Sequence, residues 1–113
     1  MAERNQDIEI DAGDPFSFAV ALVDADGAAL DLTGKTVRYG FAEKASDPEP
    51  LFEKDNAALG GIEIEVPETA GNITVTLAPA DTVALAGRYH HEVEVEGITT
   101  MTGTPTVFPT VLK

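Results

Sequence analysis

The side chains with most chemical potential in this chain are two histidines and a set of carboxylates. His90 and His91 are neighbours in a stretch of alternating polarity. Adjacent residues on a strand point to opposite faces, so the two imidazoles cannot chelate one metal. His91 falls in the inward register and is expected as a hydrogen-bonded core residue; His90 is expected at the surface among glutamates. Asp24-Ala25-Asp26-Gly27 resembles the opening of a calcium loop. Ala28, Ala29 and Leu30 follow, and no Glu stands at the twelfth place, so a hairpin turn is the expected structure. Asp11 and Asp14 complete a different calcium site only if the fold brings these loops together. Glu92, Glu94 and Glu96 form one acidic stripe, and Glu63 and Glu65 another. Paired carboxylates can hydrolyse glycosides, but that chemistry needs a cleft and one desolvated acid. Regular outward alternation instead describes a solvated face that guards a sheet against mispairing. Cysteine is absent, and no serine or aspartate sits in a recognisable nucleophile–base motif. The expectation is a chain without catalytic residues, cofactor or metal.

The elements that would carry these residues are strands. Phe16, Phe18, Val20 and Leu22 alternate with Ser17, Ala19, Ala21 and Val23. Val37, Tyr39 and Phe41 share a face. Leu51 to Glu53 reads as a short edge strand, after a loop from Ala45 to Pro50 in which two prolines preclude central pairing. Ile62 to Val66 and Ile73 to Leu77 alternate strictly, with a break from Pro67 to Asn72. Pro79 near the start and Gly87 at the end of the next stretch predict one short helical turn. Arg88 to Glu96 reads as one strand, with Tyr89, His91, Val93 and Val95 inward. Ile98 to Met101 and Pro105 to Leu112 complete the set, split around Gly103 to Pro105. The expected core contains Phe16, Phe18, Val20, Leu22, Val37 and Tyr39, joined by Ile64, Val75, Leu77, Tyr89, Val93 and Val95. About seven short strands with regular turn signals predict an all-β fold, a single immunoglobulin-like antiparallel β-sandwich over residues 1–113.

Composition narrows function further. Twenty acidic residues against seven basic ones give a net charge of −13, which opposes nucleic acid and anionic lipid, since phosphate contacts need cations. Such a surface favours solubility, or a partner with a basic face. Met1 to Asp7 carries neither a basic nor an apolar leader segment, and no apolar run approaches the ~18–20 residues that span a bilayer. Five Phe, two Tyr and no Trp fall mostly in inward registers, which leaves no flat aromatic platform for a sugar.

Leu85-Ala86-Gly87-Arg88-Tyr89 looks like the corner of an immunoglobulin-like domain, in which Leu85, Gly87 and Tyr89 set a turn and the Tyr hydroxyl bonds back to it. His91 stands where antibody domains place a cysteine. Gly13 to Phe18, Asp24 to Gly34 with its Leu30-Asp31-Leu32-Thr33-Gly34, Val37-Arg38-Tyr39, Gly71 to Leu77 and this corner, in that order, resemble small immunoglobulin-like proteins of tailed phages and prophages. They are similar in kind to the N-terminal domain of the phage baseplate upper protein. The resemblance implies a non-catalytic virion component in the neck, tail, baseplate or capsid surface, made in the host cytoplasm. Its partners would be other virion proteins in a symmetric multi-copy assembly. The alternative is a free-standing cell-surface adhesion or carbohydrate-binding module. A particle component must contact neighbours, and Ile8 to Ile10 and Thr106 to Leu112 are the least protected segments. Thr106, Val107, Phe108, Thr110, Val111 and Leu112 are therefore the expected subunit contact; the competing expectation is an ordinary last strand packed on its own core.

Overall fold

A computed structural model describes residues 7–24, 26–44, 49–57 and 60–109. The alternating segments form β1 (Ile8–Asp11), β2 (Phe16–Ala21), β3 (Val37–Ala42), β4 (Phe52–Asp55) and β5 (Ile62–Ile64). A 3₁₀ turn (Glu68–Ala70), β6 (Asn72–Leu77) and α1 (Pro79–Thr82) follow, then β7 (Gly87–Arg88), β8 (His90–Val95), β9 (Ile98–Gly103) and β10 (Pro105–Phe108). Helix α1 is the single turn expected from Pro79.

The strands form three sheets with orders β2-β6-β5, β4-β3-β8-β9 and β1-β10-β7. The first two face each other as the layers of an all-β sandwich. The Phe18 ring on β2 lies 5.7 Å from Tyr39 of β3 and 5.8 Å from His91 of β8, centroid to centroid. The connectivity is immunoglobulin-like: the pairs β3/β4 and β8/β9 in one layer, β2, β6 and β5 in the other, and β1 laid beside β10.

Two expectations need correction. Arg88 to Glu96 is not one strand: it breaks at Tyr89, where the chain leaves β10 and joins β3. The C-terminal stretch breaks at Thr104, within the split expected around Gly103 to Pro105, and there too the chain changes sheets. Ten strands stand among the described residues where about seven were expected. One strand pair also departs from the antiparallel expectation: β1 pairs parallel with β10, Ile8 opposite Pro105 and Asp11 opposite Phe108. Strands so far apart in sequence can run parallel without a local crossover connection.

One hydrophobic cluster holds the layers together. Leu22, Leu32, Tyr39, Phe41, Ile73, Leu77 and Met101 are fully buried, each such aliphatic side chain contributing ~1.5–3 kcal/mol. Ile10, Leu32, Phe41, Ile62, Ile73, Met101 and Val107 belong to this core in addition to the expected set. Phe16, Phe18, Ile64 and Tyr89 pack against it but are only half-buried. Phe16, Phe18 and Ile64 sit on β2 and β5, the outer strands of their sheet, where one flank is open.

Gly71 locks the layer β2-β6-β5. Its backbone has φ 73°, and its carbonyl accepts from Leu22 N–H at 2.8 Å. A Cβ there would lie 2.5 Å from the Leu22 carbonyl oxygen and 2.9 Å from Leu30 backbone atoms, so both conformation and space demand glycine.

Candidate functional site

At the centre of the sandwich, strands β3 and β8 pair Phe41 with His91 and Tyr39 with Val93, which brings two polar side chains into the core. His91 and Tyr39 are both fully buried. The Tyr39 hydroxyl and His91 Nδ1 share a hydrogen bond of 2.8 Å. The imidazole stacks on Phe18 from the opposite layer, with 30° between the planes. Burial pushes the Tyr39 phenol far above its ordinary range, helped by the nearby Asp81 carboxylate. The position that holds a cysteine in antibody domains thus carries an imidazole that is hydrogen-bonded within its own sheet and stacked on Phe18 of the facing one. His91 is a core residue, as its inward register implied.

Around this centre the polar groups are engaged in holding the fold. Lys54, on β4, turns inward beside the Phe52 ring and meets Asp81 of α1 at 2.7 Å, both side chains less than a fifth exposed. The same Asp81 oxygen accepts from Ala78 N–H at 2.7 Å, so it both starts the helical turn and tethers it to the other layer. Thr82, fully buried, accepts from Gly13 N–H at 3.0 Å. Among the described residues, no buried side-chain oxygen or nitrogen lacks a hydrogen bond.

The corner residues meet as a unit. Tyr89 donates its hydroxyl hydrogen to the Ala86 carbonyl at 3.1 Å and accepts from Ala86 N–H at 3.1 Å. Its ring packs on Phe41 at 5.2 Å. Gly87 supplies the turn with φ 106°, and Leu85 packs against the core. In the Leu30–Gly34 segment, Leu32 is a fully buried plug, its N–H bonded to the Glu68 carbonyl at 3.0 Å. The Asp31 carboxylate accepts from Thr33 N–H at 2.9 Å, and bonding to Thr33 lowers its pKa.

The carboxylates are dispersed. Asp24 Oδ1 accepts from the N–H groups of Asp26 and Ala28, at 2.8 and 3.1 Å, so it caps a hairpin turn closed by the Val23–Ala29 bridge. Ala25 of that turn lies outside the described residues. Among the described residues no three His, Asp or Glu side chains gather in a metal-binding group. Glu63 and Glu65 lie close enough that Glu65 raises the pKa of the exposed Glu63 through a shared hydrogen bond. Arg38 is ion-paired with Glu53 and lies 3.8 Å from Glu94, and bonding to Glu53 raises its pKa. His90 Nε2 meets Glu92 at 3.0 Å. These stripes are surface networks, and the described residues give no positive sign of catalysis.

Open grooves lie among the described residues. One, of about 550 Å³, is lined by Asp7, Ile8, Glu9, Arg88, Thr104 and Thr106. Another, of about 310 Å³, runs over Gly60 to Glu63, Thr74 and Thr76. Phe108 is 44% exposed and is the only aromatic among the exposed large apolar residues described. No helix in the described residues is long and apolar enough to cross a membrane.

The expected contact strand is corrected in part. β10 lies between β1 and β7, and Val107 is 1% exposed, so its side chain faces the core and not a neighbour. Thr106 is half-buried and Phe108 is at the surface. Thr110, Val111 and Leu112 lie outside the described residues. Ile8 to Ile10 and Thr106 to Phe108 protect one another by pairing, which sequence alternation alone could not indicate because the partners are ends of the chain.

No family model and no curated protein matches this chain. Among solved structures it is similar to part of a candidate glycoside hydrolase from Bacteroides vulgatus ATCC 8482, at 14% identity and TM-score 0.49. That match covers 91% of this chain and 16% of the other, so the chain spans about a sixth of that protein. It is also similar to the extracellular domain of the voltage-gated sodium channel beta4 subunit, at 13% identity and TM-score 0.38, covering 98% and 96% of the two chains. Both likenesses are too distant to transfer any property. The class of protein is defined by the chain's own geometry: an all-β, immunoglobulin-like sandwich whose chemically capable side chains hold its layers together.

Proposed function

We propose that this chain is a non-catalytic structural module of a tailed-phage-type particle, acting through protein–protein contacts in the neck, tail, baseplate or capsid surface. The observation that carries this reading is the ordered motif set from Leu30–Gly34 to Leu85–Tyr89, which resembles small phage immunoglobulin-like proteins. In support, those motifs each serve the fold. Leu32 plugs the core, and Tyr89 closes the corner on Ala86. His91, Tyr39, Asp81 and Lys54 are likewise engaged in internal bonds, which leaves the outer faces and edges for function. An acidic, disulfide-free domain of this size suits a part made in the cytoplasm and held by neighbours.

The test is co-purification. Particles released from cells that produce the chain are banded on a density gradient and analysed by quantitative mass spectrometry. The chain should appear at a constant ratio to the major tail or capsid protein. Its complete retention in the soluble cell fraction would overturn the proposal.

A further inference from the structure

Among the described residues, strand β2 has one flank that no other strand meets. In its pairing with β6, Leu22 N–H bonds the Gly71 carbonyl opposite it, and Asn72 and Thr76 on β6 bond toward β5. Antiparallel ladders alternate, so Phe16, Phe18 and Val20 direct their backbone groups at β6. Ser17, Ala19 and Ala21 then direct theirs at the open flank: three N–H and three C=O groups that no described strand meets.

Unpaired edges are normally blunted by charge, bulges or brevity. The other outer strands among the described residues carry such devices. β4 reads Phe-Glu-Lys-Asp, β1 carries Glu9 and Asp11, β5 has three residues around Glu63, and β7 has two. β9 is interrupted by a register shift that leaves Thr100 as an extra residue. β2 has six residues in unbroken register, with no charge, proline or bulge. Its neighbour β6 is also uncharged, in a chain where 24% of residues are charged. The side chains on the outer face of β2 are small and exposed: Ser17, Ala19 and Ala21.

The geometry points to a second copy of this chain as the occupant: β2 pairs antiparallel with β2 of another molecule across a two-fold axis at Ala19. The open groups are symmetric about that residue. Ala19 would face Ala19, and Ser17 would face Ala21 in both directions, which satisfies all six groups of each copy. Phe16 and Phe18, half-buried at this flank, would stand opposite the partner's Leu22 and Val20. Neutrality selects a like partner. At ~4.8 Å per strand the two Glu63 residues would stand about five spacings apart, near 24 Å, well beyond a Debye length of ~8–10 Å. Asp14 and Asp24, just beyond the strand ends, would approach each other at the two ends of the seam, so salt should tighten the pair. This pairing rests on edge geometry and not on the particle reading; either can fail without the other.

Sedimentation equilibrium tests it. At chain concentrations up to ~1 mM, where ~4 kcal/mol of association half-populates a complex, the chain should reach twice its 11.9 kDa mass. Raising salt to ~0.5 M should tighten the dimer. Ala19→Glu, at an exposed position, should keep the circular dichroism and melting of the parent yet sediment as a monomer. An equimolar mixture with Ala19→Lys should restore the dimer. Concentration-dependent slowing of amide exchange at Ser17, Ala19 and Ala21 in the unmodified chain is an independent readout. A monomer at ~1 mM, a dimer that survives Ala19→Glu, or exchange at these amides that ignores concentration would each overturn the inference.

Discussion

Replacing Tyr39 by Phe removes one oxygen from the centre of the sandwich and separates two effects by pH. The hydroxyl bonds His91 Nδ1 at 2.8 Å, and both residues are fully buried. Without it the imidazole nitrogen loses its partner where water cannot replace it, which costs about 1–3 kcal/mol at neutral pH. The second effect has the opposite sign. Burial holds the native phenol neutral far above its ordinary range, whereas the unfolded phenol ionises near 10. Below that pH both states keep the proton and stability is intact. Above it the unfolded state binds fewer protons than the native state, so stability falls as pH rises, by about 1.4 kcal/mol per unit. Tyr39→Phe lacks this penalty. Urea denaturation of both proteins from pH 8 to 11.5 measures the difference, in which all shared titrations cancel. The parent should lead by ~1–3 kcal/mol at pH 8, and its lead should shrink by about 1.4 kcal/mol by pH 11. Parallel curves across that range would refute the buried, hydrogen-bonded placement of the phenol.

Three further outcomes follow from the geometry. Tyr89→Phe should lose ~1 kcal/mol with the Ala86 bonds, and Tyr89→Ala roughly 3 kcal/mol as the contact with Phe41 is lost too; equal stability of Tyr89→Ala and parent in denaturant would show the corner to be ornamental. Gly71→Ala should cost more than the ~1 kcal/mol of an ordinary positive-φ site, because its Cβ meets backbone at 2.5 Å; a melting temperature within a degree or so of the parent would contradict this. Calcium or zinc should leave the melting temperature unchanged, since Asp24 already caps its own turn; a ligand at a hundred times its Kd would add ~2.7 kcal/mol and be plainly visible.

Much of this molecule is local in origin and therefore readable in one dimension. Alternation places Val20, Val37, Tyr39, Val75 and Val93 inward because a strand repeats every two residues, whatever it pairs with. Asp24 closes its turn with atoms four residues away at most, and Tyr89 closes its corner three residues back. The inward register of His91 was equally legible, though its partner Tyr39, 52 residues away, was not. Tertiary structure alone decided the rest. The C-terminal segments switch sheets at Tyr89 and Thr104, passing between β1-β10-β7 and β4-β3-β8-β9. The parallel union of β1 with β10 turned the expected contact residue Val107 into core, and Lys54 found Asp81 across the layers. Whether a strand is an edge depends on which neighbours arrive, and that is a property of the assembled sheet. Phe16 to Ala21 carries no charge, yet among the described residues no strand meets one of its flanks.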